Sequence, residues 1–254
     1  MDGARLAGKV LKDRFRSGDR LGIETKGLHD FVTAVDRASE EARTGFITAQ
    51  FPDHAVMAEE GSPDAERREF RWIIDPLDGT TNFIHGIPMF AVSVGLEDRD
   101  GLLAGAIYDP AHDEMFHASR GCGARLNGQP IRCTGAERLD ETLLATGFPF
   151  RYFQKADGYL KVFRTFMEST SGIRRAGSAA MDLAYTACGR YDGFWETGLS
   201  PWDMAAGALL IREAGGVVTD FAGGDHFLED GEIVAAGPAV HERMLGVVRR
   251  HLAD

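Results

Sequence analysis

The segment 72–83, WIIDPLDGTTNF, constrains the fold of this chain more than any other segment. Its apolar start predicts a buried β-strand, and Asp75 follows at the point where that strand leaves the core. Pro76 fixes φ and excludes a helix there. Such a turn directs Asp75 and Asp78 towards one point, and the Leu77 carbonyl, free of sheet pairing, can point there too. The fold must therefore bring two carboxylates together beside a buried strand.

Asp75 and Asp78 would repel each other at close range, and one of them would take up a proton unless a hard cation lay between them. The segment offers oxygen ligands and neither histidine nor cysteine, which favours Mg²⁺, Mn²⁺ or Ca²⁺ over zinc. More acids follow apolar runs or begin predicted helices, at Asp36, Glu59, Glu60 and Asp203. Each of these acids taken alone is equally typical of a helix cap or a turn.

The residues 79–82, GTTN, suit a phosphate group. The glycine lets the backbone approach a ligand, and the amides and hydroxyls after it lie at a predicted helix N-terminus, where proteins bind phosphate oxygens. The alternative is a capped helix without a ligand. Carboxylates that hold metal beside an anion site indicate hydrolysis of a phosphate ester, in which bound cations offset the charge of the phosphate.

Charge and hydropathy exclude several classes of partner. The chain carries 39 acidic residues against 28 lysines and arginines, a net charge of −11, so its overall field repels nucleic acid and anionic membranes. No stretch reaches the ~18 apolar residues of a membrane span, and the N-terminus lacks the apolar region of a secretory signal. We therefore expect a cytoplasmic protein that binds no membrane and makes no direct contact with nucleic acid.

Residue patterns divide the chain into two halves. Helices are predicted over 4–16 and from an N-cap at Thr33 to 50, with an extended or hairpin segment over 18–31 between them. From 70 to 130, β-rich runs and an Asn-Gly turn predict an antiparallel meander. Beyond 140, strands alternate with helices, which are expected near 153–168, 178–188, 203–214 and 239–252.

No linker and no repeat separates these halves. We therefore expect a single catalytic unit over 1–254. In this unit, 1–140 is an antiparallel α+β half with the metal motif, and 141–254 is an α/β half that completes the site.

Three blocks carry a family resemblance. AEEG at 58–61, WIIDPLDGTTNF at 72–83 and WDMAAG at 202–207 resemble the G-E-E, W-x-I-D-P-[IL]-D-G-T-x-N-F and W-D-x-A-[AG] motifs of the inositol monophosphatase family. Segments along almost the whole chain, such as RRAGSAAMDLAY and DGFWETGLSPWD, are similar to its bacterial branch. The resemblance implies the inositol monophosphatase and sugar phosphatase fold, which is a layered αβαβα sandwich and is usually dimeric. It also implies a phosphatase activity that requires Mg²⁺ and is often inhibited by Li⁺.

The resemblance also implies the metal ligands. Glu59, Asp75 and the Leu77 carbonyl would hold the first Mg²⁺, and Asp75, Asp78 and Asp203 the second. A third, weaker ion would rest on Glu59, and Mn²⁺ is expected as a substitute.

The other site residues follow from the same resemblance. Thr80, paired with Asp36, would orient the attacking water and help to deprotonate it. Glu59 would be the third catalytic residue. The amides of Gly79 and Thr80 would hold the phosphate. The alcohol half of the substrate would contact four residues: Asp78, Ser178, Ala179 and Glu196. Of these, Glu196 is best suited to bind hydroxyl groups.

The expected reaction is hydrolysis of inositol 1-phosphate or of a related small sugar or polyol phosphate. Family relatives with the same metal motif hydrolyse fructose 1,6-bisphosphate, histidinol phosphate, NADP or 3′-phosphoadenosine compounds, and these alternatives stay open. An alternative of another class is an accessory protein in transcription antitermination and ribosomal RNA maturation, which acts through contacts with the transcription machinery. The two roles can coexist. The complete set of acids favours catalysis, because a scaffold has no reason to keep repelling carboxylates together.

Overall fold

The computed structural model of the protein describes residues 1–16, 24–27, 30–32, 34–59, 61–62, 68–150 and 152–252, with the backbone alone at 24–27, 30–32, 34–38 and 42–43. The helices described are α1 (Asp2–Arg14), α2 (Ala34–Gln50), α3 (Thr80–Ile84), α4 (Ala156–Ser169), α5 (Ala179–Ala187), α6 (Pro201–Glu213), α7 (Phe227–Asp230) and α8 (Pro238–Leu252). The strands described are β1 (Glu24–Gly27), β2 (Asp30–Val32), β3 (Ala55–Ala58), β4 (Arg71–Asp78), β5 (Ala91–Asp98), β6 (Gly101–Asp109), β7 (Glu114–Ser119), β8 (Ala124–Leu126), β9 (Gln129–Pro130), β10 (Leu143–Thr146), β11 (Gly172–Arg174), β12 (Gly193–Thr197), β13 (Val217–Thr219) and β14 (Glu232–Ala236).

Helices and sheets alternate in five layers. Helices α1 and α2 pack against a seven-stranded sheet of order β3-β4-β5-β6-β7-β8-β9. Helices α5 and α6 contact both this sheet and a five-stranded sheet of order β11-β10-β12-β14-β13, against which α4 and α8 also pack. The predicted αβαβα sandwich is therefore confirmed.

Three apolar clusters join the layers. Leu11 of α1 and Phe90 belong to the cluster between the first helices and the large sheet. The largest cluster surrounds α5 and α6, and a third, with the fully buried Phe166 and Trp195, lies between the small sheet and α4 and α8. Because α5 and α6 pack on both sheets, we propose that residues 1–254 form a single unit in which the halves 1–140 and 141–254 share this middle layer.

The large sheet is the predicted antiparallel meander from β4 to β9. The sequence did not predict its edge strand β3, which pairs parallel to β4 with Ala58 opposite Ile74. In the small sheet, β10 runs parallel to β11 and β12, whereas β14 is antiparallel to β12 and β13. Because β3 and β4 run parallel, their carboxyl ends meet at one side of the large sheet.

Several helix boundaries differ from the prediction. Helix α6 begins at Pro201 with Ser200 as its N-cap, so Asp203 is the third residue of the helix and not its cap. Proline is favoured at the first helical position, where its missing N–H costs no hydrogen bond. Helix α4 begins at Ala156, after a single turn of 3₁₀ helix. Of the segment expected to be extended or a hairpin over 18–31, the described residues form strand β1 and part of β2, which pair antiparallel. The expected N-cap at Thr33 lies outside the described residues.

Two glycines of the large sheet let α6 approach it closely. A Cβ atom at Gly105 would lie 3.0 Å from the Cα and carbonyl oxygen of Ala206, and one at Gly95 would lie 2.9 Å from the Cβ of Ala205. A side chain at either position would therefore push the helix away from the strands.

None of the helices in the described part of the chain has both the length and the apolar character needed to cross a membrane.

Gly105→Ala is expected to lower the free energy of unfolding by about 1–3 kcal/mol, because the added methyl group would meet backbone atoms of α6. Urea denaturation followed by circular dichroism measures the loss. Gly135→Ala is the control, because Gly135 is exposed and a Cβ there meets no atom within 4 Å. Equal losses in the two variants would contradict the close packing of α6 on the sheet.

Candidate active site

A β-bulge in β4 turns Asp75 and Asp78 to the same side of the sheet. Residues three apart in a regular strand face opposite sides. Asp75 pairs with Ser93 and Asp78 with Ala91, so β4 has one residue more than β5 in this interval, and the extra residue resets the alternation. Pro76 is tolerated in the bulge because bulged residues leave the ladder. The strand therefore continues to Asp78, whereas the sequence predicted that it would leave the core at Asp75.

Hydrogen bonds and one glycine fix the turn that follows. The Leu77 amide donates to Asp75 Oδ1 at 2.9 Å, and the Thr80 hydroxyl donates to the Leu77 carbonyl at 3.0 Å. Gly79 has φ +88°, and a Cβ atom there would lie 2.9 Å from the Met89 carbonyl oxygen. Only glycine fits this conformation and this space. The turn therefore holds the Leu77 carbonyl close to the start of α3.

Helix α6 brings a third acid to the same place. Ser93, the ladder partner of Asp75, donates its hydroxyl to the Trp202 carbonyl at 3.0 Å. The Ser200 amide donates to Asp203 Oδ2 at 2.7 Å. The first turn of α6 is therefore tied to β5, and its acid faces the acids of β4.

One carboxylate oxygen from each of Asp75, Asp78 and Asp203 lies within 4.8 Å of the other two, a grouping found once among the described residues. Asp75 is 1% exposed. Burial raises the pKa of Asp75 well above its usual range, and the charges of Glu59, Asp78 and Asp203 raise this pKa further. A divalent cation would remove this repulsion, and the oxygen-only donor set fits Mg²⁺, Mn²⁺ or Ca²⁺ better than zinc.

A cleft of about 410 Å³ contains the acid cluster. The predicted site residues whose side chains the structure describes all line it, and they are Glu59, Asp75, Leu77, Asp78, Gly79, Thr80, Ser178, Ala179, Glu196 and Asp203. Asp36 lies in α2, but its side chain is outside the described residues, as is the whole of Glu60. The volume is in the range of pockets that bind small molecules.

Ser178 joins the acid cluster to α5. As the N-cap of α5, its hydroxyl oxygen accepts from the Met181 amide at 3.4 Å, and its hydroxyl donates to Asp78 Oδ2 at 2.5 Å. The Ala180 amide donates to the same carboxylate oxygen at 2.8 Å. Burial raises the pKa of Asp78, and these hydrogen bonds to its charged form oppose that rise. The start of α5 therefore stabilises one carboxylate of the acid cluster directly.

Glu196 lies on β12, with its carboxyl group pressed against Gly147. A Cβ atom at Gly147 would lie 1.7 Å from Glu196 Oε1, so a side chain at 147 would displace the carboxyl group. Burial raises the pKa of Glu196 to about 8, and the charge of Arg175 opposes this rise. Near neutral pH, Glu196 can then both donate and accept hydrogen bonds.

Two residues that were not among the predicted site residues also line the cleft. Asp182 lines it and is fully buried on α5; its only signal was the i, i+4 spacing from Ser178, which puts both residues on one helix face. Arg175 also lines the cleft, with its guanidinium carbon 5.4 Å and 5.5 Å from the ring centroids of Phe148 and Phe150. Arg175 is the only cationic residue among the described residues that line the cleft.

Comparisons with known proteins match the chain over nearly its full length. The inositol monophosphatase family matches residues 1–253. The chain is 49% identical to Nus factor SuhB of Pseudomonas aeruginosa, covering 98% of this chain and 94% of that protein. It is 44% identical to inositol-1-monophosphatase of Mesorhizobium japonicum, with the same coverage of each chain. The crystal structure of extragenic suppressor protein suhB from Bartonella henselae superposes with a TM-score of 0.94 at 40% identity, covering 99% of this chain and 97% of that one.

Asp75→Asn is expected to remove most of the stabilisation that Mg²⁺ or Mn²⁺ gives the folded protein, because it removes a buried carboxylate on which the charges of Glu59, Asp78 and Asp203 all act. Thermal unfolding in EDTA and in excess cation measures this, since a ligand at 100 times its Kd stabilises by about 2.7 kcal/mol. In EDTA the variant should be at least as stable as wild type, because one repelling charge is gone.

Asp157→Asn is the matched control, because it makes the same charge change at an exposed position of α4. Equal stabilisation of Asp75→Asn and wild type by the cation would contradict the metal site.

Proposed function

The chain belongs to the inositol monophosphatase family, and from this we propose that it is a Mg²⁺-dependent phosphomonoesterase that hydrolyses inositol 1-phosphate, or a related small polyol phosphate, to the alcohol and inorganic phosphate. The observation that carries this proposal is the convergence of Asp75, Asp78 and Asp203 in one cleft with the start of α3. Acids so close together are typical of a cation site, and the first amides of a helix are typical of a phosphate site.

Two to three Mg²⁺ ions would be held by the acids and one carbonyl, namely Glu59, Asp75, Leu77, Asp78 and Asp203. When bound, Mg²⁺ would offset the phosphate charge, lower the pKa of the attacking water and stabilise the leaving oxygen. Two hydrogen bonds would orient these carboxylates before any ion binds. The Leu77 amide donates to Asp75, and the Ser200 amide donates to Asp203. This preorganisation limits the loss of entropy when the site is loaded.

The start of α3 would bind and orient the reacting groups. The amides of Gly79 and Thr80 would donate to the phosphate oxygens. The Thr80 hydroxyl donates to the Leu77 carbonyl at 3.0 Å. In the reaction it would turn its proton to Asp36, so that its oxygen accepts a hydrogen bond from the attacking water; as the water attacks, its proton would pass to Thr80 Oγ1 and the Thr80 proton to Asp36. Glu59 would be the third catalytic residue. The water would attack phosphorus in line with the leaving oxygen, without a phosphorylated enzyme.

The other wall of the cleft would receive the alcohol. Ser178 and Ala179 begin α5 beside Asp78, and Glu196 faces them from β12. Glu196 suits hydroxyl groups because its half-buried carboxyl group is held against Gly147 and can both donate and accept hydrogen bonds near neutral pH. Inositol 1-phosphate leads among the substrates because a relative named inositol-1-monophosphatase is 44% identical to this chain. The alternatives are fructose 1,6-bisphosphate, histidinol phosphate, NADP and 3′-phosphoadenosine compounds.

A phosphate-release screen across these compounds tests the proposal, with Mg²⁺, with Mn²⁺ as a substitute, and with added Li⁺ as an inhibitor. Asp75→Asn should lower kcat at least about 100-fold, the scale of losing one group that stabilises the transition state, whereas Asp157→Asn should not. Near wild-type turnover by Asp75→Asn, or no release from any compound by wild type in excess Mg²⁺, would contradict the proposed function.

Glu196→Gln is expected to change the choice of alcohol more than the rate of hydrolysis. At a pH above 8, where Glu196 is ionised, we expect the ratio of kcat/KM for inositol 1-phosphate to kcat/KM for 4-nitrophenyl phosphate to fall about tenfold, because the carboxylate accepts from hydroxyl groups through two oxygens and glutamine through one. Steady-state kinetics on both compounds measures the ratio. An unchanged ratio would remove Glu196 from the alcohol site.

A second candidate function is supported by relatives named Nus factor SuhB, at 49% identity in Pseudomonas aeruginosa. In this role the chain would act in transcription antitermination and ribosomal RNA maturation through protein contacts. Purification of tagged protein from lysate should then recover RNA polymerase or its elongation factors, with wild type and with Asp75→Asn alike. Their absence from both preparations would count against this role.

The expected homodimer is likewise a proposal, which light scattering of the purified protein tests.

A further inference from the structure

Asp182 has a buried carboxyl oxygen without a hydrogen-bond partner. The residue is 1% exposed, and no described residue bonds to its Oδ1. Folded proteins pair their buried polar groups, because an unpaired one loses its hydration and gains nothing. A leucine of similar size would pack on α5 without that cost. An unpaired group of this kind therefore indicates a function other than packing.

The position of Asp182 suggests what the missing partner is. It lies one turn after Ser178 on α5 and lines the same cleft. Its strongest electrostatic neighbour is Glu196, followed by Asp78. Asp182 therefore lies on the wall that we assign to the alcohol half of the substrate.

The charge state of Asp182 suits a neutral hydrogen-bonding partner. Burial raises the pKa of Asp182 well above its usual range, and the charge of Glu196 raises it further. A neutral carboxyl group donates one hydrogen bond and accepts others, and it does not repel a nearby phosphate. A hydroxyl group is the partner that matches this capacity.

We propose that Asp182 is a specificity-determining residue, whose carboxyl group binds a hydroxyl of the substrate alcohol beside the one that Glu196 binds. The site then selects phosphate esters of alcohols with neighbouring hydroxyl groups over esters of alcohols without them. This inference rests on the proposed phosphatase function and adds to it a second residue, beside Glu196, that selects the alcohol.

A structural explanation makes the opposite prediction for stability. Asp182 is an acid in the first turn of α5, where a negative charge would favour the helix. If this were its role, Asp182→Leu would lower the melting temperature and would reduce activity on every substrate alike. If Asp182 binds a hydroxyl, Asp182→Leu keeps or raises the melting temperature, because an unpaired polar group is removed.

The test compares Asp182→Leu and Asp182→Asn with wild type on inositol 1-phosphate and on 4-nitrophenyl phosphate, whose alcohol has no neighbouring hydroxyl. We expect the ratio of kcat/KM for the two compounds to fall at least tenfold in Asp182→Leu. The fall should be smaller in Asp182→Asn, which keeps a donor and an acceptor. Asp109→Asn is the control, because Asp109 is equally buried but accepts from the Ala111 and His112 amides at 2.8 Å and 3.1 Å.

An unchanged ratio in Asp182→Leu overturns the inference, as does an equal fall in Asp109→Asn. If wild type hydrolyses neither compound, the proposed function fails separately. Calorimetry with inositol, in the presence of Mg²⁺ and inorganic phosphate, then decides the role of Asp182. Binding that is at least tenfold weaker in Asp182→Leu than in wild type supports it, and equal or absent binding overturns it.

Discussion

Three carboxylates within 4.8 Å of one another repel strongly when all are ionised. At an effective dielectric constant of about 20, each pair of unit charges at this range costs about 3 kcal/mol. Burial adds to the cost, since it removes the water that would otherwise solvate the charges. The rest of the fold must hold these groups together against that force until a cation neutralises them.

The devices that do this are rigid and distributed over several elements. The bulge in β4 gives Asp75 and Asp78 one direction, and the capping bond at Ser200 fixes Asp203. Gly95 and Gly105 let α6 lie close to the large sheet. The third acid therefore arrives on a helix whose position is set by backbone contacts, which move less than side chains do. Rigid placement of this kind is what a preorganised site requires.

The sequence predicted which residues line the cleft better than how the backbone brings them together. Because the spacing of Asp75 and Asp78 and the oxygen-only ligands are local features, they could be read directly. The layered fold came from the family resemblance. The bulge could not be foreseen, because Pro76 normally ends a strand and only pairing with β5 carries this one on to Asp78. Strand β3 was missed because four residues show too little periodicity. Asp182 was missed because an acid on a helix is usually exposed, and its burial depends on the packing of α5 between two sheets.

The acids of the cluster lie far apart along the chain, with β4 in the first third and α6 in the last quarter. During synthesis the ribosome therefore releases Asp75 and Asp78 long before Asp203. A nascent chain with only the first two acids would offer the proposed cation an incomplete coordination shell. If the cluster holds a cation as proposed, the ion would stabilise the protein fully only after α6 has docked on the large sheet, and it would favour the finished five-layer body over any partly synthesised fragment.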